Sequence, residues 1–370
     1  MLMSRIYNFN PGPATLPLPV LEQVQQELLD YQGRGISVLE MSHRSKEYEA
    51  INQEAETRIK QLLGLGDDYR VLFLQGGAST QFATVPMNFL PPGGVADYIL
   101  TGSWSEKAQK EAQIVGKQLQ PGATTHVAAS TREEQYRRVP RADEIQLSKQ
   151  AAYVHITTNN TIYGTQWPEL PDVGDRPLVA DMSSDILSRP MDAQKFALFY
   201  AGAQKNIGPA GVTVVVIRQS LLEQTAPTIP TILNYATHAK NNSLYNTPPA
   251  FAVYMLNLVL GWIGANGGLA GIGERNQQKA QQIYAAIDRN AGFYQGHAAP
   301  DSRSLMNITF RLANEDLEKQ FVSEATAAGM IGLKGHRSVG GIRASVYNAM
   351  SPEGCAALSG FMDEFARKNG

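Results

Sequence analysis

The chain has 370 residues, enough for two domains or one large one at roughly 100–200 residues per domain. Hydrophobic residues make up 43% and charged residues 18%; a composition this apolar, below the roughly 25% charge of ordinary soluble domains, excludes a disordered chain. With 32 Lys and Arg against 34 Asp and Glu, a net charge of −2, no basic field points to nucleic acid or anionic lipid, so any bound anion must be held by a few placed cations.

Residues 1–20 are proline-rich and have no apolar core of a signal peptide. Ser45 begins a helix whose apolar stripe is Tyr48, Ile51, Ala55, Ile59 and Leu62. Residues 71–75 read as a strand ended by Gly76 and Gly77, followed by a helix over about 79–90. A second strand, 97–101, ends at Gly102, and a helix follows over 105–115. Further strands are predicted at 151–158, 177–182, 197–201 and 212–217 from their β-branched and aromatic content. Near-continuous apolar strands between helices indicate a mostly parallel sheet covered on both faces. The apolar stretch 250–264 is broken by Asn257 and is too short for a bilayer span. A glycine-rich break at 266–268 marks the predicted boundary between a large domain, 16–265, and a smaller α+β domain, 266–370, with the segment 1–15 packed near the latter. In that second part, 305–312 and 342–346 alternate as half-buried strands. A last helix starts with Ser351 as cap, Pro352 in the first position and Glu353 at the positive end of the dipole. The single cysteine, Cys355, excludes an intramolecular disulfide framework and a multi-cysteine zinc site. No metal centre is expected, and a reducing, cytoplasmic setting is.

Ligands of open α/β sheets bind at the carboxyl ends of the strands, so the residues ending each strand carry the candidate chemistry. Gln75-Gly76-Gly77-Ala78-Ser79-Thr80 turns a strand into a helix N-terminus, whose free N–H groups favour an anion; an ordinary capped turn fits the segment equally well. Asp181 ends a buried strand, where an acid is expensive unless paired, and alone it suits a cap or turn. Lys205 follows a strand among small residues with no acid beside it in sequence; desolvation there makes a usable amine nucleophile, although a solvated loop lysine is the commoner case. Together the three meet what pyridoxal phosphate needs: a phosphate seat, an acid at the pyridine nitrogen and a lysine for the aldehyde. Trp104, just past a strand end, suits either a flat ring or the core. His43-Arg44, His336-Arg337 and Arg343 are separately ordinary surface charges and jointly suit a substrate with two anionic ends.

Seven segments in order carry a family resemblance. They are 8–14 (Asn-Phe-Asn-Pro-Gly-Pro-Ala), 41–45 (Met-Ser-His-Arg-Ser), 74–77 (Leu-Gln-Gly-Gly), 101–105 (Thr-Gly-Ser-Trp-Ser), 201–211 around Lys205, 246–249 (Asn-Thr-Pro-Pro) and 335–345 around His336, Arg337 and Arg343. The chain resembles the phosphoserine aminotransferase family, class V aminotransferases of the type I pyridoxal-phosphate fold. That resemblance implies a seven-stranded, mostly parallel sheet. It also implies amino transfer between glutamate and 3-phosphohydroxypyruvate in serine biosynthesis, with 4-phosphohydroxythreonine formation for pyridoxine biosynthesis as a second reaction. It implies that Lys205 carries the cofactor and moves the substrate proton, that Asp181 pairs with the pyridinium, that Trp104 stacks on the ring and that Thr161 bonds the phenolic oxygen. Ala78, Ser79 and Gln204 would hold the phosphate, and Asn246 and Thr247 would reach it from a second subunit of a homodimer. Arg343 would clamp the α-carboxylate, and His43, Arg44, His336 and Arg337 the distal anion. Some members carry arginine where this chain has Ser79, which shifts distal binding onto the His-Arg loops. Rival readings are another class V enzyme such as a serine–glyoxylate aminotransferase, a cysteine desulfurase using Cys355, a non-catalytic homologue that binds the cofactor, and a nicotinamide-dependent dehydrogenase, which lacks its glycine fingerprint here.

Overall fold

A computed structural model describes residues 5–225 and 228–370. The first four residues of the expected segment 1–15, and residues 226–227 of the expected domain 16–265, lie outside the described residues.

The N-terminal two-thirds alternates helices and strands: α1 (Leu18–Glu27), α2 (Lys46–Leu63), β1 (Tyr69–Leu74), α3 (Gly77–Phe89), β2 (Val95–Leu100), α4 (Ser103–Gln118), β3 (Thr124–Ser130), β4 (Ala151–Thr157), β5 (Leu178–Asp181), β6 (Leu198–Gly202) and β7 (Thr213–Arg218). These seven strands form one sheet in the order β1-β7-β6-β5-β4-β2-β3. Pairing is parallel throughout except at β7, which runs antiparallel to both β1 and β6. Alternate side chains of each inner strand enter opposite cores. Val214 and Val216 join Ile156, Ala180 and Phe199 on one face, against α2 and the apolar helix α5 (Ala250–Ala265). Val215 and Ile217 join Tyr98, Tyr153, Leu198 and Tyr200 on the other, against α3 and α4. Burial on both sides explains why these strands read as unbroken apolar runs.

The strand β3 was absent from the sequence-based reading. Its sequence, Thr-Thr-His-Val-Ala-Ala-Ser, is weakly apolar because it sits at the sheet edge and buries only Ala128 and Ala129. Helix starts also move earlier than predicted, to Gly77 and Ser103, because each strand-ending glycine takes a conformation that leads straight into the helix.

After α5 the chain enters α6 (Gly268–Arg289), β8 (Asn307–Arg311), α7 (Glu315–Ala327), β9 (Ile342–Ser345) and α8 (Pro352–Asn369). Strand β8 pairs antiparallel with β9 and with the short strand Gln295–Gly296. Tyr7–Asn8 runs parallel to Met330–Ile331. Ser351 caps α8 by accepting from the Gly354 amide at 3.1 Å, with Pro352 in the first turn. Cys355 on this helix is fully buried, and burial pushes its thiol up to about 12. Among the described residues no single helix is long and apolar enough to cross a membrane.

The core of this C-terminal layer is aromatic. Phe321 has no exposed surface and meets Tyr294, Phe310, Phe361 and Phe365 at ring distances of 5.0–6.2 Å. Truncating a buried ring leaves both lost transfer energy and a cavity, so Phe321→Ala should destabilise by ~3–5 kcal/mol. The measurement is the urea midpoint of the purified variant, which should fall; an unchanged midpoint would contradict this packing.

Candidate active site

The parallel strands β2, β4, β5 and β6 end on one edge of the sheet, and the residues beyond those ends converge there. Strand β6 ends at Gly202 and the chain turns through Ala203-Gln204 to Lys205. Lys205 is half-buried. Its Nζ donates to Thr161 Oγ1 at 2.7 Å and lies 5.4 Å from the centre of the Trp104 ring. Burial lowers the amine to about 8, against an opposing pull from the Asp181 carboxylate that favours the charged form; Arg343 adds a smaller downward push.

Asp181 closes β5 and is 4% exposed. Burial raises its pKa, while Lys205 and the Ser183 amide, which donates at 2.9 Å, work the other way. Thr161 follows β4 on a buried segment, 158–161, anchored where the Trp167 amide donates to the Thr158 carbonyl at 3.0 Å. Trp104 lies in the first turn of α4, and Lys107, one turn on, sits 4.3 Å over the same ring. The Trp104 indole Nε1 is buried and has no partner.

Ala78 and Ser79 begin α3. Gly76 and Gly77 precede and open the helix at φ of 95° and 68°, a left-handed backbone that glycine adopts freely. A Cβ on Gly76 would stand 2.0 Å from Thr80 Oγ1, so the turn admits no side chain there. The first amides of α3 face outward with no side-chain cap. Gln204 is tied down through its carbonyl, which accepts from the Ala14 amide at 2.9 Å, and the N-terminal loop comes so near that a Cβ on Gly12 would be 3.2 Å from Lys205 Cγ.

Arg343 arrives from β9, opposite Thr309 of β8. It is 6% exposed, and burial lowers its pKa. One Nη1 contact reaches the Thr161 carbonyl at 3.3 Å, and Nε is buried without a partner. A buried guanidinium with donors to spare can bind a carboxylate. The segment after Arg343 is braced by Lys279 of α6, whose buried amine donates to the Val346 and Tyr347 carbonyls at 2.9 and 2.7 Å; burial lowers that amine to about 7. Tyr347 in turn donates to the Pro11 carbonyl at 2.7 Å.

His336 and Arg337 sit on a loop closed by the Gly335 amide donating to the Gly341 carbonyl at 2.8 Å. The His336 ring is lowered by burial and then by Arg343, Arg337 and Lys107, so this loop overlooks the same cationic corner. The other predicted residues lie elsewhere on the chain. His43, half-buried, and Arg44, exposed, precede α2 on a loop where the Arg44 amide donates to Ser42 Oγ at 3.2 Å. Among the described residues no hydrogen bond or ion pair joins either side chain to Lys205, Asp181 or Arg343. Asn246 and the exposed Thr247 lie beside the end of β1, where Gln75 Nε2 donates to the Thr247 carbonyl at 3.4 Å.

These side chains suit pyridoxal phosphate. The uncapped amides of α3 offer an anion seat, Trp104 offers a ring face, and Asp181 and Lys205 stand on either side of the space between. Sequence reasoning missed Lys107, Ser183, Tyr347 and Lys279. Ser183 and Tyr347 are close in sequence to predicted site residues, while Lys107 and Lys279 looked like ordinary helix lysines.

The family profile described as aminotransferase class-V matches residues 6–358. A phosphoserine aminotransferase of Herpetosiphon aurantiacus is 62% identical over 365 residues, covering 99% of both chains. Among solved structures, the phosphoserine aminotransferase from Bacillus circulans subsp. alkalophilus superposes with a TM-score of 0.96 at 56% identity, covering 99% of each chain. The PLP-bound phosphoserine aminotransferase from Trichomonas vaginalis does so with a TM-score of 0.92 at 40% identity, covering 97% of this chain and all of the other. A match spanning nearly the whole chain, with these strand-end residues gathered at one edge of the sheet, has one reading: the chain belongs to the class-V aminotransferases.

Proposed function

We propose that the protein transfers the amino group of L-glutamate to 3-phosphohydroxypyruvate, giving O-phospho-L-serine and 2-oxoglutarate, with pyridoxal phosphate held on Lys205. The observation that carries this reading is the Lys205 amine, lowered to about 8 by burial, bonded to Thr161 Oγ1 at 2.7 Å and in electrostatic reach of both Asp181 and Arg343, whose Nε has no partner among the described residues. When bound, the cofactor supplies an aldehyde for the amine and a ring that accepts electrons from the substrate Cα–H bond.

The chain's own groups do the rest. The Ala78 and Ser79 amides and Gln204 would hold the cofactor phosphate, Trp104 would cover the ring, and Thr161 Oγ1 would bond the phenolic oxygen. Asp181 keeps the ring nitrogen protonated. A charge pair about 4 Å apart is worth roughly 4 kcal/mol at an effective dielectric near 20, or about 3 pKa units, enough to decide that protonation. Arg343 would clamp the α-carboxylate and so aim the Cα–H bond at Lys205 Nζ, and Lys205 Nζ would take and later return that proton. His336 and Arg337, with His43 and Arg44, bind the distal phosphate or carboxylate. Ser79 leaves that anion to these loops. A serine–glyoxylate enzyme would have no use for two such cationic loops.

The active form in this reading is a homodimer in the cytoplasm, with Asn246 and Thr247 reaching the phosphate of the neighbouring subunit. Its support is a run of exposed apolar side chains close in sequence: Leu29 is 85% exposed and Leu39 62%, with Leu28 and Ile36 also exposed. A single chain rarely leaves so many large apolar side chains in water unless a surface covers them. Residues 16–265 form the cofactor-holding domain and 266–370 the domain that brings Arg343. The net charge of −2 suits small acidic substrates bound by local cations rather than nucleic acid or membrane partners.

Lys205→Ala should abolish turnover, and borohydride reduction of the loaded variant should leave no pyridoxyl group on the protein by peptide mapping; retained transamination refutes the assignment. Arg44→Ala should impair phosphoserine and glutamate far more than a neutral amino acid, and equal losses across the three would remove its distal-anion role. The cofactor-free protein offers a pH test. Because only the uncharged amine attacks an aldehyde, labelling of Lys205 by an aldehyde plus cyanoborohydride should rise with pH through about 8. In Asp181→Asn the midpoint should move to lower pH, since the carboxylate that favours the charged amine is gone; an unchanged midpoint would show that the two groups do not interact.

A further inference from the structure

Three consecutive carbonyls follow the turn beyond Asp181, and each accepts from a different asparagine. Ile186 O accepts from Asn206 Nδ2 at 2.5 Å, Leu187 O from Asn348 Nδ2 at 2.9 Å and Ser188 O from Asn276 Nδ2 at 2.8 Å. The asparagines are also joined to one another. The Asn348 amide donates to Asn206 Oδ1 at 2.9 Å, and Asn276 Nδ2 donates to Asn348 Oδ1 at 2.7 Å. All three are buried, with exposures of 5%, 1% and 0% for Asn206, Asn348 and Asn276. Leu187 at the centre has φ of 54°, a left-handed backbone that a leucine rarely adopts and that persists only where its surroundings hold it.

The four segments so joined are those that carry the site. Asn206 is the residue after Lys205, and the turn 186–188 continues the segment that begins with Asp181. Asn348 lies just past β9, which carries Arg343, and Asn276 lies on α6, the helix that braces the same segment through Lys279. A side-chain amide donates from one atom and accepts at another, and Asn206 and Asn348 each use both ends. An alanine or an aspartate could not make both contacts.

We propose that this asparagine clasp sets the position of the Arg343 guanidinium relative to the Lys205 amine, which makes Asn348 and Asn206 positioning residues for amino transfer. Misplacing a reacting group by about 1 Å costs on the order of a hundredfold in rate, and nothing else among the hydrogen bonds described above ties the Lys205 segment directly to the chain beyond Arg343. The two ends of the clasp have different consequences. Loss of the Asn348 side chain releases the chain beyond Arg343 from Leu187 and Asn276, while its backbone amide still donates to Asn206. Loss of Asn206 frees the residue next to Lys205.

The test uses the full-length enzyme loaded with pyridoxal phosphate. Asn348→Ala should raise KM for both glutamate and 3-phosphohydroxypyruvate by about tenfold with kcat within about threefold of wild type, the pattern of weakened substrate binding. Cofactor affinity, read by fluorescence titration, should stay unchanged in that variant. Asn206→Ala should instead lower kcat by about tenfold and shift the pH at which the visible absorption band of the loaded enzyme changes, by about half a unit or more. Asn206→Ser removes the donor to Ile186 without adding a charge and keeps a hydroxyl oxygen on the side of the Asn348 backbone amide, so it should show the same fall in kcat and band shift at smaller amplitude and serves if the alanine variant does not fold. Variants that lose thermal stability in parallel while keeping kcat, KM and the band titration of wild type would overturn the proposal, as would identical kinetic defects at both positions. The proposal rests on the roles given to Lys205 and Arg343. Arg343→Lys tests those separately: unchanged KM values there sink the carboxylate clamp, whereas failure of the clasp alone leaves the Arg343→Lys defect in place.

Discussion

A primary amine held out of water beside a carboxylate is the constraint around which the molecule is arranged. Burial lowers the Lys205 amine and raises the Asp181 carboxyl, and their mutual attraction resists both changes. The compromise leaves an amine held at about 8, partly uncharged near neutral pH. That state is not stable on an open loop. It exists because β5 and β6 are adjacent parallel strands whose ends place the two segments side by side, under the cover of Trp104 and the N-terminal loop.

The sheet therefore acts as a jig. Parallel strands point all their carboxyl ends one way, so residues far apart in sequence, Trp104, Thr161, Asp181 and Lys205, share one edge. Arg343 comes from the other part of the chain, on a short antiparallel strand, and among the described residues its Nε has no partner and its guanidinium forms no ion pair. Its neighbours His336, Arg337 and Lys107 are all basic, and Arg343, Arg337 and Lys107 each lower the His336 ring beyond what burial does. The corner thus stays positive without any net positive charge on the protein, as its composition requires.

Much of this was readable in the sequence. Unbroken apolar runs located six of the seven central strands, and punctuation by glycine located the site-bearing ends, because a buried strand and a tight turn each leave a local signature. The edge strand β3 left none, since half of its side chains face water. Ser351 and Pro352 announced the last helix, where the cap and the fixed proline backbone act over a few residues. What stayed hidden depends on contacts between distant segments. Asn276, Asn348 and Lys279 look like ordinary polar residues until α6, the β9 end and the turn after Asp181 are brought together. The placement of His43, Arg44, Asn246 and Thr247 was likewise beyond local reasoning, for periodicity says nothing about which surface a loop faces.

Cys355 offers a practical opening. Enclosed within α8 and with its thiol pushed up to about 12, it is inert to ordinary alkylating reagents under mild conditions. The native chain is in that sense already blank, and a single cysteine engineered onto the glycine-rich loop around His336 would take a fluorophore or spin label without any background mutations. Opening and closing of that loop could then be followed in real time on a protein otherwise unaltered.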